Sequence, residues 1–113
     1  MRSKYGNEKT TLDGLTFDSR REARRWAELQ LMQRAGEIRE LQRQVPFVLI
    51  PTQRDELTGK VLEKETRYVA DFTYRDNKTH KLIVEDAKGV KTEAYRLKKK
   101  LMLYRHGIQI QEV

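Results

Sequence analysis

The chain has 113 residues, with 24 Lys or Arg against 17 Asp or Glu, a net charge of +7 and a pI near 9.8. That length supports one domain, and the basic balance favours a polyanionic partner, with nucleic acid first. The absence of cysteine excludes disulfides and cysteine-zinc sites, and two histidines give little support to an imidazole metal cage or a Ser-His-Asp triad.

Residues 1–9 are polar and basic and read as a flexible lead-in without the apolar stretch of a signal peptide. No segment approaches the roughly 18 apolar residues of a membrane span, so no membrane association and a cytoplasmic location are expected. Residues 10–17 (TTLDGLTF) carry Asp13-Gly14 between short runs, a hairpin signal. A helix is predicted from Asp18 or Ser19 to about Ala35, closed by Gly36. Ser19-Arg20-Arg21-Glu22 fits a capping box, and Glu22 shares a helix face with Trp26 and Leu29. Glu22 therefore has two readings, a cap that reaches back to the Ser19 backbone or an acid aimed across at the sheet. Trp26 reads as core.

Residues 36–44 read as a connector anchored by Ile38 and Leu41. Residues 45–51 (VPFVLIP) read as a short strand whose prolines restrict its ends. After a loop over 53–60 comes YVADFTYRDNKTHKLIVEDAKG, residues 68–89, which reads as two strands joined by a turn near Lys78. An antiparallel pairing would bring Asp71 beside Asp86 or one pair away, and alternation would put Asp86 and Lys88 on one face. Glu85 then points the other way, as a solvated edge residue or as a partner behind the site. His80 reads as solvated. Thr92 caps a second helix over 93–106, whose Ala94, Leu97, Leu101 and Tyr104 are expected to cover the sheet. Ile108 to Val113 alternates as a final strand. A helix between the last two strands suggests a crossover and hence a mixed sheet.

Two acids and a lysine converging at the open end of a hairpin outline a metal-and-water site. Asp71, Asp86, Glu22 and the Ala87 carbonyl supply hard oxygen donors suited to Mg²⁺ or Mn²⁺, and Lys88 a cation beside an attacked phosphate. The simpler reading is acids facing water at strand ends. What favours the site is that Asp71 interrupts an apolar strand and Asp86 directly follows Leu-Ile-Val-Glu. The Lys98-Lys99-Lys100 run is either a solvated face or a phosphate-tracking one, joined by Arg96, Lys91 and Tyr95.

These residues carry a resemblance. YVADF with Asp71, then EDAKG with Asp86 and Lys88, resembles the PD-(D/E)XK nuclease superfamily. More closely, KYGNEKT, DGLTFDSRREA, RAGEIREL, VEDAKG and YRLKKKL resemble a small phage-encoded family of unknown function within that superfamily, distantly like TnsA-type transposon endonucleases. The likeness spans nearly the whole chain, with Ala70 where the superfamily motif has proline. It implies a single α/β domain with a restriction-endonuclease-like αβββαβ core, a central mixed sheet flanked by two helices. It further implies metal ligation by Asp71, Asp86 and Glu22, catalysis by Lys88, and an ancillary Gln44 after the first helix. The expected activity is Mg²⁺- or Mn²⁺-dependent cleavage of DNA, on branched recombination or replication intermediates, by a homodimer, with RNA as an open alternative substrate. The competing class is a non-catalytic nucleic-acid-binding or assembly protein that retains the fold.

Overall fold

A computed structural model describes residues 9–12, 14–87 and 91–113. The expectation of a flexible lead-in therefore falls, but for Lys9, outside the described residues, as does Lys88. In chain order the elements are β1 (Thr10–Leu12), β2 (Leu15–Phe17), α1 (Arg20–Arg34), β3 (Ile38–Ile50), β4 (Gln53–Arg54), β5 (Val61–Glu63), β6 (Thr66–Asp76), β7 (Leu82–Asp86), α2 (Glu93–His106) and β8 (Gln111–Glu112). The fold is mixed α/β. The central sheet runs β3-β6-β7-β8, antiparallel except for the parallel β7/β8 pair that α2 connects. No helix among the described residues is long and apolar enough to cross a membrane.

Local chemistry sets the boundaries of α1. Ser19 Oγ accepts from Glu22 N at 3.2 Å, and the helix ends with Gly36 at φ +80°. There Glu37 N donates to Met32 O and Gly36 N to Gln33 O, the paired bonds of a glycine-terminated helix. The stretch expected to be a connector is instead the first half of β3, a single 13-residue strand. Its polar alternation reads as a loop, but every second residue is only partly exposed, as on a one-sided sheet edge. Pro46 is tolerated because β3 lies at the sheet edge.

Two cores lie on opposite sides of β7, Ile83 packing with the first and Leu82 and Val84 with the second. The first joins Phe17, Ala23, Leu29, Phe72 and Tyr74 under α1; the second joins Leu49, Tyr68, Ala70, Tyr95 and Met102 under α2. On β6, however, Tyr68 and Ala70 belong to the second core and Phe72 and Tyr74 to the first, although all four have the same strand parity. Leu41 and Phe47 divide in the same way on β3. Alternation is thus broken on β6 at Asp71 and on β3 at Gln44, which faces it between the pairs Arg43↔Phe72 and Val45↔Ala70. Gln44 provides the break by taking a left-handed backbone, φ 54°. β3 has an earlier irregularity at Glu40, φ 57°, across which Ile38 and Leu41 share the first core despite opposite parity.

The second helix presents a largely different face from the one expected, and of the four residues expected to cover the sheet only Leu101 packs against the core. Tyr95 and Met102 are buried, whereas Leu97 and Tyr104 are 58% and 88% exposed and Ala94 is exposed. Apolar residues occupy both sides of this helix, so periodicity alone could not choose between them.

One turn occurs twice. In residues 55–60 and 76–81 the leading aspartate (Asp55, Asp76) accepts from the backbone N–H groups two and three residues on. The threonine hydroxyl (Thr58, Thr79) then takes the lysine N–H. The fifth position is left-handed in both, filled by Gly59 at φ 73° and by His80 at φ 62°. Histidine pays a steric penalty there that glycine does not, partly offset by the greater chain entropy glycine loses on folding. His80→Gly is therefore expected to raise stability by about 0.5–1 kcal/mol, read as a higher urea midpoint with unchanged slope.

Candidate functional site

Trp26 sets the position of the site. Its ring stacks on Phe72 at 5.9 Å and 22° and lies 6.3 Å from Phe17, so the β1/β2 hairpin, α1 and β6 are clamped together. One helical turn before Trp26, Glu22 is carried over the point where the ladder changes face, and is 4% exposed. Gln44 Nε2 donates to Glu22 Oε1 at 3.2 Å, and Arg43 approaches the same oxygen at 3.9 Å. Arg43 is itself held with its guanidinium 4.3 Å over the Phe17 ring and Nη2 on Thr16 O.

Asp71 and Asp86 come from neighbouring strands. The β6/β7 register pairs Phe72 with Glu85, and continuing it by one residue sets Asp71 opposite Asp86. Asp71 Oδ2 accepts from Ala87 N at 2.7 Å, and buried Asp86 accepts the Tyr68 hydroxyl on Oδ2 at 2.7 Å. The Asp86 carbonyl accepts from Val113 N, so β8 braces the same residue. Burial foremost, and then the Asp86 carboxylate, push the Tyr68 hydroxyl far up, so it remains a donor. Tyr95 is likewise pushed up, by burial and by its bond to Glu112, with Asp86 and Asp71 adding to the effect.

Burial above all, and then the negative charges of Asp71 and Asp18, push Glu22 up to about 7, against a weaker downward pull from Arg43. Asp71 acts on Glu22 on one side and on Tyr68 and Tyr95 on the other. The structure therefore brings Glu22, Gln44, Asp71, Asp86 and Ala87 into one neighbourhood. Among the described residues, no group of three or more Asp, Glu or His side chains is arranged to hold a metal ion as it stands.

Two expectations need correction. Glu85 is not a solvated edge residue but fully buried, and it serves the opposite face. Arg25 grips it with Nε on Oε1 at 2.8 Å and Nη2 on Oε2 at 2.7 Å, and the Tyr74 hydroxyl donates to Oε2. The strand is regular at Glu85, so alternation sends it away from Asp86 and under α1, where a fixed cation compensates its charge. Arg25 went unnoticed in the sequence because its partner is 60 residues away. Tyr95, in turn, offers no stacking surface: its ring is 3% exposed, tilted against Tyr68 at 6.5 Å, and its hydroxyl donates to Glu112. Of the cations around it, Lys91 and Lys99 both pair with Glu112, while Arg96 is exposed and Lys98 partly exposed on α2.

A family model described as "Protein of unknown function (DUF1064)" matches residues 2–112. The chain belongs to this family. No curated protein and no solved structure matches it. DUF1064 carries no assigned activity, so the chemistry of this member is argued from its own residues.

Two predictions follow from these contacts. Because Glu22 binds its proton more tightly folded than unfolded, it stabilises most below about pH 4.5, and that contribution is lost as pH rises to about 7. Urea unfolding across this window should show stability falling by on the order of 2–3 kcal/mol from this group, and Glu22→Gln should flatten the profile. Arg25→Leu leaves the buried Glu85 carboxyl without its cation and should cost about 3 kcal/mol at pH 7, whereas the Arg25→Leu/Glu85→Leu double variant should recover most of it.

Proposed function

We propose that this chain is a Mg²⁺- or Mn²⁺-dependent endonuclease that hydrolyses DNA phosphodiester bonds on a restriction-endonuclease-like core. The observation that carries this reading is the meeting of Glu22, Asp71 and Asp86, drawn from a helix and two strands, where the sheet changes face. Three acids gathered in a chain of net charge +7 make poor sense as a plain anion-binding surface, because they would repel phosphate. The order α1, β3, β6, β7, α2, β8 in a mixed sheet supports the resemblance to PD-(D/E)XK nucleases.

The donor set fits a hard divalent cation. Mg²⁺ commonly keeps several waters and takes only one or two protein carboxylates, so a full side-chain cage is not required. Asp71 and Asp86 would hold the ion, with Glu22 and the Ala87 carbonyl beside them. A bound ion there supplies charge neutralisation at the phosphate and a water of lowered pKa.

The chain's own groups do the orienting. The Ala87 N–H fixes one oxygen of Asp71, Tyr68 fixes one oxygen of Asp86, and Gln44 fixes Glu22. With its proton affinity raised, Glu22 is suited to accept a proton from an attacking water near neutral pH. Lys88 would stabilise charge on the phosphate as the resemblance implies, and Lys91 and Lys99 would track the neighbouring backbone.

Cleavage of linear, single-stranded and four-way-junction DNA, with an RNA of matched sequence, tests this in Mg²⁺ or Mn²⁺ against EDTA. Metal-dependent cutting of DNA is expected, fastest on the junction and at least 100-fold slower in Asp71→Asn and Asp86→Asn. Asparagine keeps an oxygen that can face Tyr68, so the Asp86 variant should fold. Tight DNA binding without cutting in either metal would replace this reading with that of a non-catalytic nucleic-acid-binding protein.

A further inference from the structure

The outer face of α2 carries an apolar stripe that the described fold covers only at Leu101, which is partly buried against the second core. Ala94, Leu97, Leu101 and Tyr104 recur at the three- and four-residue spacing of a helix-packing seam. Leu97 is 58% exposed, Tyr104 88% and neighbouring Leu103 55%, on a helix already anchored through Tyr95 and Met102 on its other side. Isolated exposed leucines are ordinary, but a continuous stripe of this spacing on a stable helix marks a contact surface.

Charge says what kind of helix fits the stripe. Lys98, Lys100 and Arg105 border it, Arg96 and Lys99 lie further round the helix, and Glu93 is the sole acid of α2. Lys99 pairs with Glu112, whereas Arg96, Lys98, Lys100 and Arg105 make no ion pair among the described residues. On another flank of the helix, beside Leu103, a cavity of about 320 Å³ is lined by Arg96, Lys99, Lys100 and Gln109. A second copy of α2 laid on this seam would set lysines against lysines in either direction. Nucleic acid would satisfy the cations but leave the leucines and Tyr104 facing phosphates.

We propose that this face is a docking site for an acidic amphipathic helix of a partner protein. Leu97 and Tyr104, with the exposed edge of Leu101, take the partner's apolar stripe, and Lys98, Lys100 and Arg105 take its flanking Asp and Glu. The site lies on the outer side of α2, and the inference stands independently of the nuclease reading.

The probe is a synthetic 21-residue helix with leucine along one stripe and glutamate on its flanks, labelled for fluorescence anisotropy. Controls are the same composition scrambled to remove the stripe, and a duplex DNA. Saturable binding of the patterned peptide is expected, at least tenfold tighter than the scrambled one. Leu97→Ser/Tyr104→Ser and, separately, Lys98→Glu/Lys100→Glu should each weaken it at least tenfold. Unchanged Trp26 emission and melting temperature would show both variants folded. Equal binding of patterned and scrambled peptides, or none of either, overturns the proposal. Sedimentation showing a dimer that Leu97→Ser/Tyr104→Ser dissociates would assign the face to a second copy. DNA affinity falling in both variants, with no peptide preference, would assign it to nucleic acid.

Discussion

A regular β-strand sends its odd and even residues to opposite faces, and β3 and β6 break that rule side by side at Gln44 and Asp71. Gln44 in a left-handed backbone opposite Asp71 lets one ladder serve α1 along half its length and α2 along the other half. A non-glycine residue in that conformation costs on the order of 1–3 kcal/mol, and such costs gather at functional positions because the surrounding structure must over-determine them. Here the surroundings are Trp26 stacked on Phe72 to one side and Tyr68 against Tyr95 to the other. Acids that regular alternation would separate by the thickness of a sheet are thereby brought within electrostatic reach of one another.

Glu85 and Asp86, adjacent and both buried, show how environment divides identical chemistry. Glu85 is held by two guanidinium bonds and a tyrosine, an arrangement that neutralises its charge and ties α1 to β7. Asp86 receives the Tyr68 hydroxyl and lies among other acids. The first is a structural fastening and the second is left beside like charges, and strand parity alone separates them.

Much of this was legible in the chain. Hairpin dipeptides, the Ser19 and Thr92 caps, the terminating glycines and the strand–helix–strand order led to the mixed sheet because those signals are local. The pairing of Asp71 with Asp86 was legible because the turn at Asp76 to Lys81 fixes the register, and Glu22 because helical periodicity puts it with Trp26. Three features could not be read. The Arg25–Glu85 pair joins residues that no local pattern relates; β3 hides its first half behind polar residues suited to a sheet edge; and α2 has apolar residues on both sides, so tertiary contact alone selects Tyr95 and Met102.

The twice-used turn has a consequence for how the molecule assembles. Each six-residue turn carries its own aspartate, threonine and left-handed position, so both hairpins can close from local information on the microsecond scale. The acid cluster has no such shortcut. Glu22, Asp71, Asp86 and the β8 brace on Asp86 span most of the chain, and the β7/β8 parallel pair must wait for α2. Repulsion among the carboxylates is therefore met only once distant segments of the chain have come together. A chain built in this order can hold mutually repelling groups together without obstructing its own path to the native state.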